Sequence, residues 1–162
     1  MSFRMSSLAR YVSTEVPKSG IKSIQRWESC KLTAYLDGGG VPTIGWGHTS
    51  GVKLGQVWTQ QQCDQAFEVE IGHFWRGVYR LTSDVHSTEP QLGAMLSLAY
   101  NIGLEGFINS SVLRHHRARD YALAADSFLL WVKDNGKFIR GLYNRRVVER
   151  NLYLSTVSPV NN

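Results

Sequence analysis

Glu28-Ser-Cys-Lys-Leu-Thr-Ala-Tyr-Leu-Asp37-Gly-Gly-Gly-Val-Pro-Thr43-Ile-Gly-Trp-Gly-His48 is the stretch from which the rest of the chain is best read. Ahead of it, Ile21, Ile24 and Trp27 recur at helical spacing with Ser19 placed to cap them, which predicts a short amphipathic helix ending near Glu28. Leu32, Ala34 and Leu36 then alternate with Thr33, Tyr35 and Asp37, the pattern of a half-buried strand with its polar members on one face. The three glycines after Asp37 can supply the positive φ of a tight turn. The return strand runs from Val41 to Gly45 and carries Pro42, so it is an edge strand or starts at a bulge. Helix, turn and hairpin would gather Glu28, Asp37 and Thr43 around one cleft.

That grouping has a chemical use. Cleaving a glycosidic bond takes one carboxylic acid to protonate the leaving oxygen and a second carboxyl to drive or steady attack at the anomeric carbon. A Glu and an Asp at this separation are common by chance; the full run of Glu, eight residues, Asp, five residues, Thr and then Ile-Gly-x-Gly-His is specific. Each member also has a plain reading. A Glu at a helix end is usually a solvated group, but Trp27 beside it favours partial burial, which disfavours the charged form of a carboxyl. Asp37 before three glycines is a good turn former, and Thr43 a good strand former. His48 is expected to orient the hairpin through a hydrogen bond.

Beyond the hairpin the chain turns helical. Thr59-Gln-Gln-Gln62 and Thr88-Glu-Pro-Gln91 both have capping-box form. The first opens a helix with Cys63, Ala66, Phe67, Ile71 and Phe74 at helical spacing; the second opens Leu92 to Tyr100, apolar enough to be a buried hub. Asp120 can cap a helix from Tyr121 to Trp131, and Arg140 to Leu154 closes the pattern. The fold class expected is α+β and mainly helical: an N-terminal extension over 1–20, a small lobe with a β-hairpin over 21–72 and a helical lobe over 73–162, joined by helix. Trp131 and Phe107 read as core or cleft wall.

The 162 residues carry a formal charge of +5, 43% hydrophobic and 19% charged residues, ordinary for a globular protein with a real core. The positive balance is either a solvated basic surface or a sign of a polyanionic partner. No arginine-glycine repeat, zinc-ligand set or basic recognition helix favours nucleic acid; with a carboxylate pair present, an anionic wall polysaccharide is the better fit, with attraction that fades as salt rises. The five histidines and two cysteines show no metal-ligand spacing, and neither metal nor cofactor is expected. Cys30 and Cys63 can form a single bridge, but free thiols are the expectation for a chain folded in a reducing cytoplasm. Met1 to Gly20 has no apolar run of export-signal or membrane-span length; Met5, Leu8, Tyr11 and Val12 are spaced as a short helix expected to pack on the body.

The Glu28–His48 segment resembles the catalytic unit of the phage-type lysozymes, the endolysin muramidases. The resemblance continues through Ala94-Met-Leu-Ser-Leu-Ala-Tyr-Asn101-Ile-Gly103, Gly106-Phe107-Ile-Asn109-Ser110 and Gly141-Leu-Tyr-Asn144-Arg145-Arg146 with Glu149. It implies a lysozyme-like fold and hydrolysis of the β-1,4 bond between N-acetylmuramic acid and N-acetylglucosamine in peptidoglycan, with inversion. In that scheme Glu28 is the acid, and Asp37 and Thr43 hold the attacking water. Tyr35, Asn101 and Arg145 are implied substrate-side residues. In the plain reading Asn101 merely caps its helix, and Arg145 either pairs with Glu149 on its own helix or reaches Glu28. A monomer is expected, held in the host cytoplasm until a holin releases it to the wall. Ser29 and Trp46 depart from the usual family residues, which puts only cleft shape in question. The rival functions are a lytic transglycosylase, which needs one acid and no water, and a non-catalytic wall-binding protein.

Overall fold

The computed structural model describes residues 15–155, so the helix expected before Pro17 lies outside the described residues. Helix α1 (Lys18–Trp27) leads to strand β1 (Lys31–Leu36) and strand β2 (Pro42–Gly45). Five helices follow: α2 (Gln60–Thr82), α3 (Glu89–Ile102), α4 (Leu104–Ile108), α5 (Ser111–Arg117) and α6 (Tyr121–Ser127). A 3-10 turn (Phe128–Leu130), a short hairpin of β3 (Lys133–Asp134) and β4 (Lys137–Phe138), and helix α7 (Arg140–Leu154) complete the described chain. The α+β, mainly helical architecture is the one the periodicities predict.

Helix α3 is the hub because it is apolar all round: Ala94, Met95, Leu96, Leu98 and Ala99 are fully buried. Both predicted capping boxes form. Thr59 and Thr88 each accept from the backbone N–H three residues on, while Gln62 and Gln91 accept from the cap backbone in return. Helix α1 crosses α3 where Gly20 meets Gly93. A Cβ on Gly93 would stand 2.7 Å from the Gly20 nitrogen, so only glycine allows this approach. The crossing fixes the helix whose end carries Glu28.

Three local expectations need correction. Ser19 does not cap α1; Pro17 stands at the cap, and Ser19 instead takes Glu89 as partner, its backbone N–H donating to the Glu89 carboxylate at 2.9 Å. Asp120 precedes α6 without a side-chain capping bond, and α6 stops at Ser127, not Trp131, because the chain tightens to a 3-10 turn before the β3–β4 hairpin. The turn of that hairpin is Asn135-Gly136, both at positive φ, a signal the helical reading passed over. In β1 only Ala34 is buried. Leu32 and Leu36 are 42% and 53% exposed, because the small lobe has a core of just Ala34, Ile44 and Val52 with Trp58 against it.

Candidate active site

Strands β1 and β2 pair antiparallel, with Tyr35 opposite Thr43 and an irregularity in register between Lys31 and Tyr35. Opposed residues share a face, so Tyr35 and Thr43 look the same way, and Asp37 follows at the turn. Asp37 acts as the turn former its position suggests: Oδ1 accepts from the backbone N–H of Gly39 at 2.9 Å and of Val41 at 2.8 Å. Those bonds hold the carboxylate in place, and among the described residues no donor reaches Oδ2. The Thr43 side chain is buried, and its hydroxyl donates to the Val41 carbonyl at 2.9 Å, which leaves its oxygen free to accept.

Glu28 closes the C-terminal end of α1, its backbone N–H still bonded to the Ile24 carbonyl. Its Oε1 accepts from Arg145 Nη1 at 2.9 Å. Its Oε2 lies against Gly47, where a Cβ would approach to 2.9 Å in a backbone already at φ +87°. The glycine before His48 therefore leaves room for the carboxylate. Arg145 is 4% exposed and makes both of the contacts its sequence position allowed: Nε also donates to Glu149 Oε1 at 3.0 Å, and Nη2 to the Ser97 carbonyl at 3.2 Å. Glu149 is fully buried and accepts from Ser97 Oγ at 2.7 Å, with Arg146 Nη1 3.1 Å from its other oxygen. That last contact has the distance of an ion pair without hydrogen-bond alignment. Burial pulls Arg146 down to about 10, still cationic at neutral pH. Arg145 thus bridges Glu28 at the cavity to the buried Glu149, and Arg146 stands against Glu149 from the other side.

Glu28, Tyr35, Asp37, Thr43 and Asn101 line one open cavity of about 430 Å³ between the hairpin and α3. Arg145 stands behind Glu28 and does not line it. Asn101 sits in the last turn of α3; its Oδ1 accepts from Arg146 Nη2, and among the described residues no acceptor meets the amide Nδ2. Burial, then Glu28 and Asp37, raise the Tyr35 hydroxyl above its ordinary value, so it stays protonated at neutral pH. Trp46 does not reach the cavity: its indole N–H donates to Asp64 at 2.9 Å and its ring packs on Phe67, so this substitution leaves the lining unchanged.

The sequence reading passed over Glu70, a third carboxylate lining the cavity. It is held by His48 Nδ1 at 2.9 Å, while Nε2 of the same ring meets the Ser50 carbonyl at 3.0 Å. The Tyr100 hydroxyl donates to the Trp46 carbonyl at 2.8 Å and lies 3.4 Å from Glu70. Burial and the Glu70 charge drive that hydroxyl strongly upward, so it remains a donor. The signal was available, since Glu70 shares the α2 face of Phe67 and Phe74, where a carboxylate needs a partner. Among the described residues, no group of three His, Cys, Asp or Glu could hold a metal, and no helix is long and apolar enough to cross a membrane.

The Phage lysozyme family model matches residues 25–149, from α1 through to Glu149. The chain belongs to the phage lysozyme family. It is 36% identical over 146 residues to the endolysin of Salmonella phage P22, covering 87% of this chain and 99% of that one. To the endolysin of Bacillus phage B103 it is 34% identical over 146 residues, covering 86% of this chain but 54% of the relative. The chain thus spans about half the length of that Bacillus phage relative. Among solved structures it is similar to an endolysin from Escherichia coli O157:H7 phage FAHEc1, with a TM-score of 0.79 and 30% identity over 90% of this chain and 96% of that one. For a phage lysozyme the contact between the two lobes matters, because the Arg145–Glu28 bond ties the start of the hairpin segment to the last helix.

Proposed function

We propose that the protein is an endolysin that hydrolyses the β-1,4 bond between N-acetylmuramic acid and N-acetylglucosamine in peptidoglycan. The observation that carries the reading is one cavity holding Glu28 beside a rigid Asp37 and a buried Thr43, in a chain of this family. Glu28, oriented through Oε1 by Arg145, delivers a proton from Oε2 to the glycosidic oxygen. A water placed between Asp37 Oδ2 and Thr43 Oγ1 donates a hydrogen to each, which turns its lone pair toward the anomeric carbon. Attack on the face opposite the leaving group inverts the anomeric centre, a route that requires carboxyls about 6.5–9.5 Å apart. The phenol of Tyr35 and the Nδ2 of Asn101 are donors for sugar hydroxyl and acetyl oxygens. The enzyme acts as a monomer, without cofactor, at the bacterial wall once a holin has opened the host membrane.

The test is clearing of permeabilised bacteria by the native protein beside Glu28→Gln and Asp37→Asn, with mass analysis of the released fragments. The native protein clears, each variant loses roughly 10²–10⁴-fold, and the fragments carry one added water and a reducing end. Equal clearing by Glu28→Gln overturns the assignment of the acid. Anhydro sugars among the products make the protein a transglycosylase instead.

A further inference from the structure

The two cysteines take no part in the proposed chemistry, yet they meet at the neck of the small lobe. Cys30 lies two residues past Glu28 and immediately before β1; Cys63 lies in the first turn of α2. Lys31 pairs with Gly45 across the sheet, and the outward Cβ direction of Gly45 meets the Cys63 Cβ and Sγ at 3.4 Å. On the same turn of α2, the Gln60 amide donates to the Cys30 sulfur at 3.5 Å. Both cysteines are free; Cys30 is partly exposed and Cys63 is buried. Burial, and then the neighbouring Cys30, hold the Cys63 thiol up at about 11.

We propose that Cys30 and Cys63 are a disulfide-forming pair that closes the small lobe at its neck when the protein meets an oxidising disulfide. This rests on the reading that the protein works at the wall, outside the reducing cytoplasm. The residues between them comprise both strands and the loop leading to α2, the lobe whose core is only Ala34, Ile44 and Val52 with Trp58. The co-reactant is a low-molecular-weight disulfide such as oxidised glutathione. The exposed thiol, Cys30, loses its proton and attacks one sulfur of the oxidant, releasing one thiol and leaving a mixed disulfide on Cys30. Cys63 then gives up its proton and attacks the Cys30 sulfur, expelling the second thiol. Two protein thiols are oxidised and one disulfide is reduced to two thiols. The second step is slow, because the buried Cys63 thiol is held protonated. Both cysteines already flank the junction of β1 with the first turn of α2, so joining them moves the neighbouring Glu28 segment little and leaves turnover intact.

The experiment incubates the full-length reduced protein with oxidised glutathione, alkylates it under denaturing conditions, and measures mass, melting temperature and wall clearing. The expected product is a monomer lighter by two hydrogens, with no alkylatable thiol. Its melting temperature is raised by at least about 5 °C, and clearing stays within roughly twofold of the reduced form. Cys30→Ser and Cys63→Ser each abolish the rise, and Cys30→Ser, changing the partly exposed partner, keeps the comparison valid if Cys63→Ser folds poorly. Two alkylatable thiols after incubation, a persistent glutathione adduct, or disulfide-linked dimers overturn the proposal. So does an intramolecular bond that removes clearing, since the bond would then displace Glu28. A bond that forms and stabilises a protein inactive in both states sinks the muramidase reading and leaves this one standing.

Discussion

The two lobes are built on opposite terms. The helical lobe packs α2, α5, α6 and α7 around α3, buried from Leu92 to Ala99, with α1 of the hairpin segment laid against it, and its side chains serve the core. The hairpin lobe buries Ala34, Ile44 and Val52 and leaves Leu32, Leu36 and Val41 in solvent, holding its shape through turn hydrogen bonds such as those of Asp37. A loop-rich lobe with a thin core can place polar groups around a cavity; a dense helical one can hold them still. Substitutions in the helical lobe should therefore cost stability, and substitutions in the hairpin lobe should cost activity. The buried network of Arg145, Arg146, Glu149 and Ser97 is where the two meet.

Breaking that network has the largest expected effect. Glu149→Ala leaves Arg145 with Glu28 as its carboxylate partner and the buried Arg146 with only the Asn101 amide oxygen among the described residues, and should destabilise by about 3–5 kcal/mol, measured by denaturant unfolding. It should also lower clearing, because Arg145 loses the partner that aims it at Glu28. Unchanged stability would show that the lobes do not share this anchor. Arg145→Ala, which frees Glu28, should move the pH optimum of clearing, and an unmoved profile would separate Arg145 from the acid.

Next in size is a pH effect confined to the helical lobe. His116 is fully buried, with Nδ1 2.6 Å from the Tyr153 hydroxyl and Nε2 2.8 Å from Ser87 Oγ, and burial lowers it from 6.5 to about 4. Between those values the unfolded chain takes a proton that the folded chain refuses. Stability thus falls as pH drops from about 6.5, with the loss complete below about 4, and the gap corresponds to roughly 3 kcal/mol. His116→Gln should be less stable at pH 7 but lack this acid-side slope. A slope that survives the substitution would assign it elsewhere.

Much of this arrangement was legible in the residues. The capping boxes, the all-apolar hub and the Glu–Asp–Thr spacing are local signals, and local signals survive folding. What escaped depended on what lies across space. The alternation in β1 is a correct strand signal, but Leu32 and Leu36 are exposed because the core beside that strand, among the described residues, is only Ala34, Ile44 and Val52 with Trp58. Glu70 gains its meaning only across space, where His48 and Tyr100 reach it from the hairpin segment and α3. Arg145 had two competing partners on paper and bonds both, which a one-dimensional reading poses as a choice.

A sharper version of the comparison comes from Gly47→Ala in the hairpin lobe. The φ of +87° costs an alanine about 1–2 kcal/mol, and its Cβ would stand 2.9 Å from Glu28 Oε2. The melting temperature should fall by a few degrees, roughly 3–6 °C, while clearing falls at least about tenfold because the carboxylate must shift. Activity and stability falling in proportion would mean the variant merely unfolds. Thermal melts and clearing rates on the same sample distinguish the two.

The smallest effect should come from Trp46, which belongs to the hairpin segment by sequence and to α2 by contact. Trp46→Phe removes the bond from the indole to Asp64, an exposed residue, and keeps an aromatic ring against Phe67. The Tyr100 hydroxyl bonds the Trp46 backbone carbonyl, which the substitution leaves in place. The expected loss is about 0.5–1 kcal/mol with clearing unchanged, because Trp46 does not line the cavity. If clearing drops while stability holds, Trp46 shapes the cleft after all. The division of labour would then run through the hairpin segment itself, and not along the boundary between the lobes.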